Sequence, residues 1–239
     1  MLEVRGLRCG YGQSIVLDGF DLDVPDGSFV VVIGPNGHGK STLLRAISGL
    51  LPLRGGTVAF KGEQINGMRT ESIVRRGLVH IPQGDLLFTD MSVEENLLLG
   101  SFTHPDRSAR NERLDEVYGL FPRLSERKSQ RARTLSGGER RMLALGRGLM
   151  TRADLLMIDE PSLGLAPVLV DEVYARIATI ARGGQTVLLV EENFAHIRDL
   201  ADVIVLVENG SVVKRGTVDE VLNDEAVVQT YLGVGGEGA

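Results

Sequence analysis

Eight consecutive residues, Gly34-Pro35-Asn36-Gly37-His38-Gly39-Lys40-Ser41, combine backbone freedom with one cation and one hydroxyl, and fit the pattern G-x-x-x-x-G-K-[ST]. Glycines let successive backbone N–H groups turn toward phosphate oxygens without Cβ clashes. A helix expected over Thr42–Ser48 adds the positive end of its dipole. Lys40 places a compact charge on the outer phosphates, and the Ser41 hydroxyl can ligate Mg²⁺. The candidate phosphate-binding set is therefore Asn36, Gly37, His38, Gly39, Lys40, Ser41 and Thr42. Alone it establishes nucleotide binding and little else.

Two carboxylates, Asp159 and Glu160, close the apolar run Leu155–Ile158. Ligands of open α/β sheets bind outside the carboxyl ends of the strands, which gives this pair a place in the same site. Asp159 is read as a Mg²⁺-holding residue and Glu160 as the general base that polarises the attacking water. Side chains alternate along a strand, so the two cannot share one role if the strand continues. A second glycine-rich helix start, Leu135-Ser136-Gly137-Gly138-Glu139, is a second anion site. One nucleotide does not need two such sites, so the second is expected to serve a nucleotide held by another subunit.

The elements that must position these groups are legible in the apolar pattern. Leu2, Val4, Phe20, Leu22 and Val24 alternate with polar residues, as antiparallel strands with one buried face do. Ser28–Ile33, Leu155–Ile158, Thr186–Val190 and Val203–Val207 are continuous apolar runs, the mark of strands buried on both faces of a parallel sheet. Amphipathic helical patterns such as Val168–Ala181 separate them, which implies a wound α/β core. From Gly84 to Met150 the pattern changes to helices, at Val93–Leu99, Asn111–Leu120 and Arg140–Met150, punctuated by Pro105 and Pro122. The expected organisation is one α/β domain with core segments 1–83 and 151–239 and an inserted helical subdomain, 84–150. The Arg and Lys residues of that insert are expected on a solvated face, and the Gly-rich tail from Gly233 is expected to fray.

Composition narrows the classes. The 26 basic and 32 acidic residues give a formal charge of −6, against a nucleic-acid-coating protein. Cys9 is the only cysteine, so no internal disulfide or cysteine-based metal cluster can form, and a reducing cytoplasmic compartment is expected. Met1–Arg5 lacks the apolar run of a cleaved leader. No apolar stretch approaches the roughly 20 residues that span a bilayer, so any membrane role needs other chains.

Taken in order, these motifs resemble the ABC-transporter ATPase family over essentially the whole chain. GPNGHGKST at 34–42 is similar to its phosphate loop, a P-loop NTPase feature, and LSGGE at 135–139 to its signature. The resemblance implies ATP and Mg²⁺ as ligands. Tyr11 stands where the family stacks an aromatic ring on adenine, and Gln83 where its glutamine touches Mg²⁺ and water. It further implies catalytic roles for Glu160, Gln83 and Lys40, and metal contacts from Ser41, Gln83 and Asp159. The family works as head-to-tail dimers, in which Ser136, Gly137 and Gly138 would contact the partner's ATP. MSVEENLLLG at 91–100, MIDEPSLGLAP at 157–167, LVEENFAHIRDLAD at 189–202 and AVVQTYLG at 226–233 are similar to one importer group. That group comprises the second ATPase subunits of branched-chain amino acid importers and of urea or short-chain amide importers. The implied partners are a second ATPase subunit, two permease subunits and, indirectly, a substrate-binding protein, at the cytoplasmic membrane face. Leu86, Leu87 and Phe88 form an apolar cluster expected to meet the permease or to pack within the helical insert.

Three departures from the family pattern stand out. Glu192 or Asn193 replaces the histidine that usually contacts the γ-phosphate, and His196 one turn on is expected to be a surface or packing residue. Ala166 replaces an aspartate used in communication between sites, which points to a heteromeric pair with unequal sites. His38 occupies a position usually held by small residues, and is expected to face solvent or the dimer interface. A soluble ABC ATPase without a transporter, and a purely regulatory nucleotide-binding module, remain as alternatives.

Overall fold

A computed structural model describes residues 1–103, 106–192, 194, 196–224 and 227. The motif at 226–233, apart from Val227, lies outside the described residues, as do Pro105, Asn193 and the Gly-rich tail.

The chain opens with β1 (Leu2–Tyr11) and β2 (Ser14–Val24), then β3 (Phe29–Ile33) and α1 (Lys40–Ile47). There follow β4 (Leu53–Phe60), β5 (Glu63–Gln64), α2 (Thr70–Arg75) and β6 (Leu78–Ile81). Four α-helices come next: α3 (Val93–Leu99), α4 (Arg107–Leu120), α5 (Pro122–Glu126) and α6 (Gly137–Leu149). The chain then returns through β7 (Leu155–Asp159), α7 (Pro167–Arg182), β8 (Thr186–Glu191), β9 (Val203–Glu208), β10 (Ser211–Gly216) and α8 (Val218–Leu222).

Two sheets result. An antiparallel sheet has the order β2-β1-β4-β5, and a six-stranded sheet the order β10-β9-β3-β8-β7-β6. In the larger sheet every pairing from β9 to β6 is parallel, and β10 adds an antiparallel edge. This mixed, mainly parallel architecture with a separate antiparallel sheet is the α/β class read from the sequence.

The apolar runs are continuous because each central strand feeds two cores. Val31 and Ile33 of β3, Leu156 and Ile158 of β7, and Val187 and Leu189 of β8 enter the cluster that holds α3, α4, α6 and α7. Their neighbours Val30, Val32, Leu155, Met157, Leu188 and Val190 enter the cluster shared with α1 and the antiparallel sheet. Alternation is still present, but both sides are apolar. At about 1.5–3 kcal/mol per fully buried aliphatic side chain, this double burial fixes the strand ends that carry the site.

Helix starts lie earlier than apolar periodicity places them, because caps extend beyond the apolar face. Asp106 accepts from the backbone N–H groups of Ser108 and Ala109, so α4 begins four residues before Asn111. Ser136 and Glu139 form a reciprocal capping box that starts α6 at Gly137 rather than Arg140. Strands β4 and β6 carry no distinct apolar run in the sequence. They take their place from pairing with β1 and β7.

Candidate active site

The phosphate loop sits between β3 and α1. Gly39, the residue before α1, has φ +99°, and a Cβ there would meet the Leu17 side chain at 2.7 Å. Gly34 is glycine for a different reason from the one its motif suggests. A Cβ there would lie 2.2 Å from the Val207 carbonyl oxygen of β9, so strand packing excludes a side chain.

Lys40 is buried with its ammonium folded back on the loop. It donates to the carbonyl oxygens of Gly34 (2.8 Å) and Pro35 (3.1 Å), and lies 3.1 Å from Glu160 Oε1. An ammonium has three donors, and these three acceptors use them all. The Gln83 amide donates to the other Glu160 oxygen at 3.1 Å. β7 ends at Asp159, and Glu160 adopts φ +43°. That left-handed conformation costs a residue with a Cβ about 1–3 kcal/mol and is held by the contacts around it. Among them is the Glu160 N–H, which donates to the Val190 carbonyl at 3.0 Å. The turn, rather than strand alternation, separates the two carboxylates.

Asp159 is buried and accepts from the Ser41 hydroxyl at 2.8 Å through Oδ1. Its Oδ2 has no hydrogen-bond partner, and neither has His80 Nε2, 4.0 Å away. Burial raises the Asp159 carboxyl above the usual range and the Glu160 charge adds to this, while the Ser41 bond opposes it. Burial, reinforced by Arg45, pushes His80 down to about 4, so its imidazole is neutral near pH 7. A buried carboxylate oxygen without a donor, beside a serine hydroxyl, matches the hard oxygen donors that Mg²⁺ takes. The residues present therefore fit that cation.

One cleft of about 290 Å³ is lined by Asn36, Gly37, Gly39, Lys40, Ser41, Thr42, Gln83 and Glu160. The fold thus gathers most of the sequence-derived set into one place. Tyr11, at the end of β1, is not among the cleft's lining residues; it is 44% exposed, and its phenol oxygen accepts from Arg45 at 3.1 Å. Ser136, Gly137 and Gly138 are not among the residues lining that cleft. Ser136 and Gly138 border a different hollow, at the start of α6.

His38 makes a contact that neither expectation named. Its Nδ1 accepts from the Asn209 backbone N–H at 3.1 Å, and its carbonyl accepts from the Gly210 N–H at 3.2 Å. The ring is half-buried and ties the phosphate loop to the β9–β10 turn. His196 does pack, stacking on Tyr174 with ring centroids 5.1 Å apart and lying 3.4 Å from Asp171. The arginines of the helical segment are not all solvated. Arg141 is buried and faces Asp85 at 3.5 Å, while Arg147 donates to the Leu86 carbonyl at 2.8 Å. Periodicity treats any arginine as a surface residue, whereas these hold the segment after Gln83 against α6. Arg45, His80 and Glu191 also surround the site, and no motif spacing marked them.

Residues 17–163 match the ABC transporter family profile. The chain belongs to the ABC transporter family. ABC ATP-binding subunits bind and hydrolyse ATP to power transport, and this chain is such an ATPase. It is 41% identical over 233 residues to the high-affinity branched-chain amino acid transport ATP-binding protein BraG of Pseudomonas aeruginosa, covering 98% of this chain and all of that one. It is 35% identical to a probable branched-chain amino acid transport ATP-binding protein, LivF, of Archaeoglobus fulgidus, over 98% of this chain and 99% of that one. BraF of Pseudomonas aeruginosa, another branched-chain amino acid transport ATP-binding protein, is 33% identical, over 98% of each chain. Among solved structures, an ATP-binding cassette of an ABC transporter in its ADP conformation matches with TM-score 0.86 and 28% identity, over 98% of each chain. The α/β order of the ATPase, with its phosphate loop between β3 and α1, is thus that of an ABC cassette. No helix among its described residues is long and apolar enough to cross a membrane.

Proposed function

We propose that this ATPase powers import of branched-chain amino acids as one half of a pair of unequal ATPase subunits. The observation that carries the catalytic part is the Lys40–Glu160–Gln83 arrangement beside Asp159 and Ser41. The γ-phosphate competes with Glu160 for the Lys40 ammonium, while the N–H groups of residues 37–42 take the remaining phosphate oxygens. Glu160, released from Lys40 and still held by Gln83, accepts a proton from the attacking water. Ser41, Asp159 and Gln83 would hold Mg²⁺, which supplies charge neutralisation between the outer phosphates. Tyr11 stacks on the adenine ring. Asn36, Gly37, His38, Gly39 and Thr42 complete the phosphate cradle.

Ser136, Gly137 and Gly138 stand apart from this cleft and serve the nucleotide of a second ATPase subunit. Glu192 or Asn193, and Ala166, depart from the family pattern that the sequence otherwise resembles, and favour a heteromeric pair. The same reading divides the chain into an α/β core, 1–83 and 151–239, and a helical subdomain, 84–150. Two permeases receive the motion at the cytoplasmic membrane face, fed by a substrate-binding protein, with no role for nucleic acid. A groove of about 390 Å³ beside β6 is rimmed by Leu50, Leu86, Phe88, Leu99 and Phe102, all exposed, and suits an apolar permease helix. Leu87 packs inward instead.

The similarity to branched-chain amino acid transport ATP-binding proteins supports this cargo, and the test separates it from the chemistry. ATP turnover of wild type and Glu160→Gln, each with the partner subunit, is expected to differ by about 10²–10⁴-fold. Equal, near-zero rates would favour a regulatory nucleotide-binding module. Uptake of labelled leucine by the complete transporter is expected, and uptake of urea or a short-chain amide in its place would overturn the cargo.

A further inference from the structure

Glu191, the last residue of β8, carries a buried carboxylate that takes no part in the chemistry above and is only 3% exposed. Its Oε1 accepts from the Ser162 hydroxyl at 2.9 Å, from the Ser162 N–H at 3.4 Å and from the Tyr174 hydroxyl. Its Oε2 accepts from the Glu192 N–H at 3.1 Å. Among the described residues it has no cationic partner within salt-bridge distance, so hydroxyl and amide donors take the place of water around it. Burial, and after it the neighbouring Glu191 charge, keeps the Tyr174 phenol protonated and therefore a donor. The residue's own carbonyl accepts from Gly34 N–H at 3.4 Å, at the first position of the phosphate loop.

These bonds join three segments of the site. Ser162 lies two residues after Glu160, in the turn leading to α7, where Leu163 is exposed. Glu192 follows Glu191 directly, and Gly34 opens the loop that holds Lys40. A buried charge with four donors is costly to leave unpaired, so the segments hold one arrangement together.

We infer that Glu191 is a positioning residue for hydrolysis: through Ser162 and Tyr174 it sets the turn that aims Glu160, and through the Glu192 N–H it locks that turn to the end of β8. The inference rests on Glu160 acting as the base. The Glu191 carboxylate bonds to none of the residues lining the nucleotide cleft, so its effect falls on turnover rather than on ATP affinity.

The test uses Ser162→Ala and Tyr174→Phe, each assembled with the partner subunit. Tyr174→Phe removes one hydroxyl and keeps the ring stacked on His196. Each is expected to lower kcat for ATP about five- to tenfold with KM unchanged, beside the drop in melting temperature that losing one donor to a buried carboxylate brings. The double variant is expected to be no slower than the worse single one, since both act through Glu191. Glu191→Gln, whose amide oxygen still accepts, is expected to retain more kcat than Glu191→Ala. Unchanged kcat in both single variants, strictly additive losses, or losses carried by KM would overturn the inference, and the single variants decide it even if the Glu191 variants misfold. Glu160→Gln measured alongside separates the two readings. If it is inactive while Ser162→Ala and Tyr174→Phe turn over normally, only the role of Glu191 fails.

Discussion

The Lys40 ammonium lies 3.1 Å from Glu160 Oε1, with the two side chains 2% and 7% exposed. In this arrangement the cation that meets phosphate and the carboxylate assigned to water activation neutralise each other. Breaking a buried pair by removing one partner costs about 3–5 kcal/mol, whereas replacing the charge by a neutral isostere also removes a competitor for the ligand. Glu160→Gln is therefore expected to bind ATP more tightly than wild type while losing turnover. Fluorescent-nucleotide titration checks it; weaker ATP binding in the variant would contradict the competition.

His80 gives stability a pH dependence of known sign. Its folded value, about 4, lies below the ordinary 6.5, so the unfolded chain binds the proton first as pH falls. The contribution is fully present above about 6.5 and is lost on acidification toward 4, by an amount on the order of 3 kcal/mol. Asp159, whose carboxyl is raised, contributes the opposite slope: its share is present at low pH and fades as pH rises. Melting temperatures of the nucleotide-free protein from pH 7 to 5 are expected to fall less steeply in His80→Leu than in wild type. Parallel curves would assign the slope to other groups.

The bond from Asn209 N–H to His38 fastens the phosphate loop to the β9–β10 turn. His38→Ala is expected to weaken ATP affinity about 2–10-fold, the equivalent of one hydrogen bond of ~0.5–1.5 kcal/mol. An unchanged affinity would leave His38 without a role in the loop.

Phe88 is 55% exposed at the rim of the groove beside β6. Phe88→Ala is expected to leave the unfolding free energy within about 0.5 kcal/mol of wild type, as surface changes do. ATP turnover of the ATPase pair without permeases is expected to be unchanged, and co-purification with the permeases to drop. Normal assembly and transport would move the permease contact elsewhere.

Sequence by itself determined the parts of this protein that depend on neighbours along the chain. A phosphate cradle needs glycines, a lysine and a serine in succession, so Gly37, Gly39, Lys40 and Ser41 declare themselves. Strands buried on both faces must be apolar throughout, so β3, β7, β8 and β9 were legible as runs. Tertiary structure decided whatever depends on who stands opposite. β6 became a strand by pairing with β7, and Gly34 is glycine because β9 passes within reach of its missing Cβ. His38 reaches a turn 171 residues away in sequence, and Arg141 is buried against Asp85 across 56 residues. Glu191 reads as a strand-end carboxylate next to another acid. Only the fold brings Ser162 and Tyr174 to it, because a buried charge is explained by its donors and those come from separate elements.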